Sequence, residues 1–171
     1  MSVLSRREAL FAGIAAWAPL RSAAACNERI LAAPDLLSQE SAAGYRAALP
    51  SGGNVLVAIG HTWDPLWMER RARAGATLIH ELPVACYQAN DAEYIRYHWP
   101  SPALIRHFGS GAASTRNPGQ AIAYFGGRAV AWRRTYGKGC IVTLASLLGP
   151  HLLAGDRDAL RLLQEMASVR S

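Results

Sequence analysis

Cysteine is scarce in this 171-residue chain, with only three copies, and no zinc-finger spacing or His-x-x-x-His pair occurs. Internal repeats, low-complexity segments, RNA-binding signatures and helix-turn-helix patterns are also absent from the sequence. Hydrophobic residues make up 51% of the chain and charged residues 18%, which argues against an intrinsically disordered protein. We therefore expect one globular domain that uses no cofactor or nucleic acid. No metal site is expected either, although a metal-binding module that uses His61 and His151 is an alternative.

The charge of the chain is positive, with a formal net value of +6 and a pI of about 9.7. A positive balance is found in proteins that bind nucleic acid, anionic membranes or acidic glycans, but also in proteins with a solvated basic face. However, the arginines are scattered, with small groups at 70–73 and at 133–134 rather than one long run. This distribution is typical of a solvated basic face.

No hydrophobic run is long enough to cross a bilayer as a helix. The apolar stretch Ala12–Leu20 is short and leads into small residues ending at Ala25, as before a cleavage site. Ser5-Arg6-Arg7-Glu8-Ala9-Leu10 resembles the bacterial twin-arginine export signal, with Ala9 where phenylalanine is usual. We interpret residues 1–25 as an export signal and expect the protein in the periplasm.

Cys26 gives this segment a second interpretation. Cleavage before it would leave an N-terminal cysteine, which carries lipid in lipoproteins. The lipoprotein pattern prefers leucine where Ala23 stands, so a soluble periplasmic protein is favoured. Membrane contact is thus expected only through the signal or through a lipid on Cys26.

The body of the chain alternates helical and strand patterns. A helix is predicted over 34–49, then a strand–helix–strand unit over 54–60, 64–75 and 76–81, which implies a parallel pair of strands. Ser101-Pro102 suggests a short helix over 103–108. A β-hairpin (121–125 and 128–135), a strand (140–145) and a last helix capped by Asp156 follow.

These elements describe a three-layer α/β fold whose mixed sheet has a parallel start and an antiparallel C-terminal hairpin. Gly-Gly-Arg-Ala-Val-Ala, followed by Tyr-Gly-Lys-Gly-Cys-Ile-Val-Thr-Leu, resembles the closing strands of class I glutamine amidotransferase-like domains, in particular non-catalytic bacterial members. The resemblance implies a flavodoxin-like or amidotransferase-like domain over 54–171. Residues 26–53 would then be an N-terminal helix and linker.

In catalytic members of that superfamily a cysteine stands on a tight turn, and a histidine with a nearby glutamate follows the last core strand. The resemblance would make Cys86 the nucleophile and His151 its base, with Glu81 or Asp156 orienting the histidine. The flanking glycines and the glutamate after His151 are missing, which favours a non-catalytic protein. Cys86 is alternatively half of a disulfide with Cys140, or a buried free thiol.

In open α/β sheets ligands bind beyond the carboxyl ends of the parallel strands. We expect a binding crevice there for a small molecule or a periplasmic protein, with Glu81 and His151 at its floor and Asp64 capping a helix beside it. Aromatic residues that anchor interfaces or stack on sugars lie within reach of this edge. The predicted contact residues are His61, Trp63, Tyr97, Trp99 and Ser146.

Overall fold

The structure is a computed structural model that describes residues 29–50, 52–82, 94–106 and 119–169. Within these residues the chain forms eight strands and four helices. Their order is β1 (Ile30–Ala32), α1 (Leu36–Ala48), β2 (Val55–Ile59), α2 (Pro65–Arg73), β3 (Thr77–Glu81), β4 (Tyr94–Tyr97), β5 (Ala103–Arg106), β6 (Gln120–Phe125), β7 (Arg128–Tyr136), β8 (Gly139–Leu144), α3 (Gly149–Leu153) and α4 (Arg157–Ser168).

All eight strands belong to one mixed sheet in the order β1-β2-β3-β8-β7-β6-β4-β5. The first four strands in this order pair in parallel, and the remaining pairs are antiparallel. The predicted parallel start and the hairpin of β6 and β7 are therefore confirmed. The first strand, β1, pairs with β2, so the segment before residue 54 contributes to the same sheet.

Helices cover both faces of the sheet and make three layers. Alternate residues of β2, β3 and β8 point to a large core that also contains apolar residues of α1, α3 and α4. The other residues of these strands pack against α2 in a smaller cluster of Ala58, Met68, Ala72, Leu78 and Ile141. Each fully buried Leu, Ile or Met side chain contributes about 1.5–3 kcal/mol to the stability of these layers.

Among the helices of the described residues, α1, α2 and α4 begin at acidic caps, whereas α3 has no side-chain cap. Asp35 accepts a hydrogen bond from the backbone N–H of Ser38, 2.9 Å away, at the start of α1. Asp64 and Asp156 cap α2 and α4 in the same way, as their positions in the sequence predicted. No helix in the described ranges is both long enough and apolar enough to span a membrane.

The helix predicted after Ser101-Pro102 is wrong, because residues 103–106 form strand β5. Ala103 and Ile105 are buried, whereas Leu104 and Arg106 are exposed, which is the two-residue period of a strand. Pairing of β5 with β4 overrides the local helix signal. Helix α4 buries Ala159, Leu162, Leu163 and Met166 on one face, whereas Ala167 is exposed.

Candidate functional site

The carboxyl end of β3 carries a fully buried carboxylate, Glu81. The hydroxyl of Tyr45 donates a hydrogen bond to it over 2.6 Å, and the hydroxyl of Ser41 donates to its other oxygen. The backbone N–H groups of Leu148 and Gly149 add contacts at 3.0 and 3.4 Å. We call these five residues the Glu81 cluster. It joins α1, β3 and the start of α3.

The local sequence explains how α1 supplies two of these donors. Ser41 and Tyr45 are four residues apart, so both lie on the helix face that meets the sheet. Close approach of α1 to α3 is possible because Gly44 and Gly149 have no side chain. A Cβ atom at Gly44 would overlap the backbone of Gly149, and one at Gly149 would overlap Ser41.

Burial sets the electrostatics of this region. Desolvation raises the pKa of Glu81 above its ordinary value of 4.5, and the hydrogen bonds from Ser41 and Tyr45 oppose the shift. Desolvation, reinforced by the neighbouring carboxyl, raises the pKa of Tyr45 well above 10.0. Burial likewise raises the pKa of Tyr97, whose hydroxyl is hydrogen-bonded to Ser146. The tyrosines therefore remain protonated donors at neutral pH.

His151 lies two residues beyond the Glu81 cluster and is also buried, with 3% of its surface exposed. Its Nδ1 atom lies 3.3 Å from the Oδ2 atom of Asp156, while Oδ1 of the same carboxylate caps α4. Of the two orienting residues predicted for His151, the structure thus places Asp156 beside the ring. The predicted nucleophile, Cys86, lies outside the described residues.

Cys140 is a free, fully buried thiol on β8. It faces the large core on the side of α1 and α4. The structure therefore shows no disulfide at Cys140, whereas Cys86, the other half of the predicted disulfide, lies outside the described residues.

The predicted aromatic contact residues are divided between the two faces of the sheet, with Tyr97 and Trp99 at the large core and Trp63 at the small cluster. Trp63 donates a hydrogen bond through Nε1 to a backbone carbonyl of β2 and packs on Trp67, with ring centroids 6.4 Å apart. Trp99 packs against the opposite core, and the guanidinium of Arg133 lies 4.8 Å from its ring centre. His61 is exposed. Tyr97 and Ser146 meet each other inside the molecule, close enough to Glu81 for its charge to affect Tyr97.

An open groove lies at the antiparallel half of the sheet, between the ends of β4 and β5 and the first turns of α4. Its volume is about 530 Å³, within the range of small-ligand sites. Asp158 and Arg161 of α4 form one wall and are ion-paired over 3.0 Å. Residues of β4, β5 and their connection line the rest of the groove, namely Arg96, Tyr97, His98, Pro102, Ala103 and Leu104.

Among the predicted contact residues, only Tyr97 lines this groove. The sequence carries little local signal for the rest of it. In the structure residues 94–97 alternate exposed and buried, as do residues 103–106, as expected of two strands with one solvated face. The sequence of residues 103–106 is Ala-Leu-Ile-Arg, in which polar and apolar residues do not alternate, so this strand is evident only from its pairing with β4.

No cluster of three or more metal-ligating side chains occurs in residues 29–50, 52–82, 94–106 and 119–169. Neither models of known protein families nor curated proteins match this chain. The likeness to amidotransferase-like domains therefore stays a prediction from the residues quoted above.

Proposed function

We propose that this protein is an exported, non-catalytic α/β domain that binds a small ligand or a partner protein in the periplasm. The observation that carries this proposal is the Glu81 cluster. Its carboxylate lies where α/β folds place reactive or ligand-binding groups, and four donors of the same chain occupy it. A carboxylate held in this way acts as a brace between α1, β3 and α3.

A binding role is supported by the groove at the antiparallel half of the sheet. It combines an exposed apolar side chain, Leu104, with the polar groups of Arg96 and His98. Ligand sites typically pair apolar walls with a few polar groups that orient the ligand. The groove is open to solvent without any rearrangement of the buried brace.

Export is tested by expressing the full chain in a bacterium and measuring, by mass spectrometry, the intact mass of the protein recovered from the periplasm. The proposal predicts a mass that begins after residue 25, without lipid. A variant with Arg6→Lys and Arg7→Lys should stay in the cytoplasm, because the arginine pair is the recognised feature of the signal. Equal export of both proteins, or none of either, would contradict this part of the proposal. A mass increase confined to Cys26 would show a lipid anchor instead.

A second candidate is a cysteine-dependent hydrolase or amidotransferase that uses Cys86 and His151. The pairing of His151 with Asp156 favours it, because a histidine base needs a partner that fixes its ring. Iodoacetamide labelling at near-neutral pH separates the two candidates. The non-catalytic proposal predicts that Cys86 labels no faster than an ordinary exposed thiol and that His151→Asn does not change its rate. Fast labelling that His151→Asn slows would establish the second candidate.

A further inference from the structure

The solvent side of strands β4, β5 and β6 presents one cation between an aliphatic and an aromatic side chain. Arg96 pairs in register with Leu104 of β5 on one side and with Tyr124 of β6 on the other. Neighbouring strands are about 4.8 Å apart, so the three side chains form a row across the sheet. Leu104 is 52% exposed and Tyr124 38% exposed. The helix on this side, α2, packs against β2, β3 and β8 and leaves the row uncovered.

A second row extends the same surface. Tyr94 pairs with Arg106, so the two arginines are diagonal neighbours on one face. Tyr94 is 50% exposed. His98 continues the surface beyond Arg96, its ring lying edge-on to Tyr124 with centroids 5.7 Å apart. We call Tyr94, Arg96, His98, Leu104, Arg106 and Tyr124 the outer face.

Among the described residues, the two arginines of the outer face have no ion-pair or hydrogen-bond partner, in contrast to several arginines elsewhere. Arg70, Arg73 and Arg161 each lie within 3.9 Å of a carboxylate. Within the described part of the chain, neither Arg96 nor Arg106 makes an ion pair or a hydrogen bond, and no exposed residue of β4, β5 or β6 is acidic. Exposed guanidinium groups without carboxylates form forked donors suited to carboxylates and phosphates of a ligand.

We infer that the outer face, with the groove at its end, binds an acidic saccharide. Its carboxylates would meet Arg96 and Arg106, and its rings would lie on Tyr124, Tyr94 and Leu104. Tyrosine offers a flat apolar ring together with a hydroxyl, which suits a sugar ring with one apolar face. The inference rests on the proposed function, because export places the chain among cell-surface saccharides rather than among cytoplasmic nucleotides.

Calorimetric titration with trigalacturonate tests the inference, with neutral galactotriose and a nucleoside monophosphate as comparison probes. Trigalacturonate should bind, galactotriose should not, and rising salt should weaken the binding because exposed charges are screened. Arg96→Gln should weaken it by about tenfold, the typical value of one charge-assisted hydrogen bond. Arg106→Gln should act in the same direction. Arg70→Gln, on α2, is the matched control and should bind like the unaltered protein.

Absence of trigalacturonate binding would overturn the inference, as would equal binding of the neutral trisaccharide. Tighter binding of the nucleotide would assign the surface to a different ligand class. Binding that persists in Arg96→Gln and Arg106→Gln would place the ligand elsewhere. Failure of the proposed function is distinguishable from failure of this inference. Retention of the chain in the cytoplasm, or fast labelling of Cys86, would contradict the proposed function, and both are measured without any saccharide.

Discussion

The two halves of the sheet differ in where they place ionisable side chains and in how those side chains are hydrogen-bonded. At the carboxyl end of the parallel half, Glu81 is fully buried and held by hydroxyl and backbone donors. On the antiparallel half, Arg96 and Arg106 are exposed and have no partner among the described residues. A buried charge must be satisfied by its own chain because desolvation is costly, whereas an exposed cation keeps its water until a ligand replaces it.

Because of this difference, we expect the residues that determine stability to be distinct from the residues that bind a ligand. Changes within the Glu81 cluster should alter the free energy of unfolding and leave the outer face intact. Changes on the outer face should alter binding and leave stability nearly unchanged.

Gly44→Ala should destabilise the protein most, by about 3 kcal/mol, because overpacking would push α1 away from α3. The added methyl group would overlap the backbone of Gly149, which cannot move without breaking contacts to Glu81. Urea unfolding measures the effect. Glu40→Ala, at an exposed position of the same helix, is the control and should have little effect. Equal stability of Gly44→Ala and the unaltered protein would contradict the close approach of α1 and α3.

Tyr45→Phe should destabilise the protein by about 1–3 kcal/mol, because a buried carboxylate loses one donor. The same substitution at Tyr124, on the outer face, should cost less than about 0.5 kcal/mol. Urea unfolding of the two variants therefore compares the same lost hydroxyl in both regions. A larger loss at Tyr124 than at Tyr45 would reverse the assignment of the two regions.

The pH dependence of stability should show the raised pKa of Glu81. Below its ordinary value of 4.5 the carboxyl is protonated in both states, and its contribution to stability is fully present. As pH rises through the raised folded pKa, the native state must ionise a buried group, so this contribution is lost. Glu81→Gln should remove that part of the slope in unfolding measurements above pH 4.5. An unchanged slope in the variant would contradict the shift.

Asp35 should show the opposite dependence in a separate pH window. Hydrogen bonds from Ser38 lower the pKa of Asp35 below 3.8, so its stabilisation is present above that pH and is lost as pH falls through the folded pKa. Asp35→Ala should reduce stability at neutral pH by about 1 kcal/mol, the usual effect of removing a helix cap. The loss should shrink at acid pH. A loss that stays constant down to low pH would argue against a cap that acts through its charge.

The sequence allowed much of the fold to be predicted because its signals are local. Apolar runs bounded by glycines and by Asp64 and Asp156 define the parallel unit and the last helix, and the glycine pair at 126–127 marks the hairpin. Strand β5 was predicted as a helix because only its pairing with β4 reveals a strand. Hydrogen bonds between residues that are far apart in the sequence are the part of the structure that is hardest to predict.

Glu81 illustrates that limit. The sequence places it at the end of a strand, which predicts that it lines a crevice. Its donors come from positions 40 and 36 residues earlier, and 67 and 68 residues later, in the chain. Nothing local indicates those contacts, apart from the i, i+4 spacing of Ser41 and Tyr45. The outer face depends in the same way on the register of three strands.

The most direct test of the account is one set of trigalacturonate titrations on the unaltered protein, Tyr45→Phe and Arg96→Gln, each shown to be folded by circular dichroism. The account predicts that Tyr45→Phe, although less stable, binds with unchanged affinity, whereas Arg96→Gln keeps its stability and loses about tenfold in affinity. If Tyr45→Phe lost the binding and Arg96→Gln retained it, the ligand site would lie at the carboxyl end of the parallel strands, and the division between the two halves would be wrong.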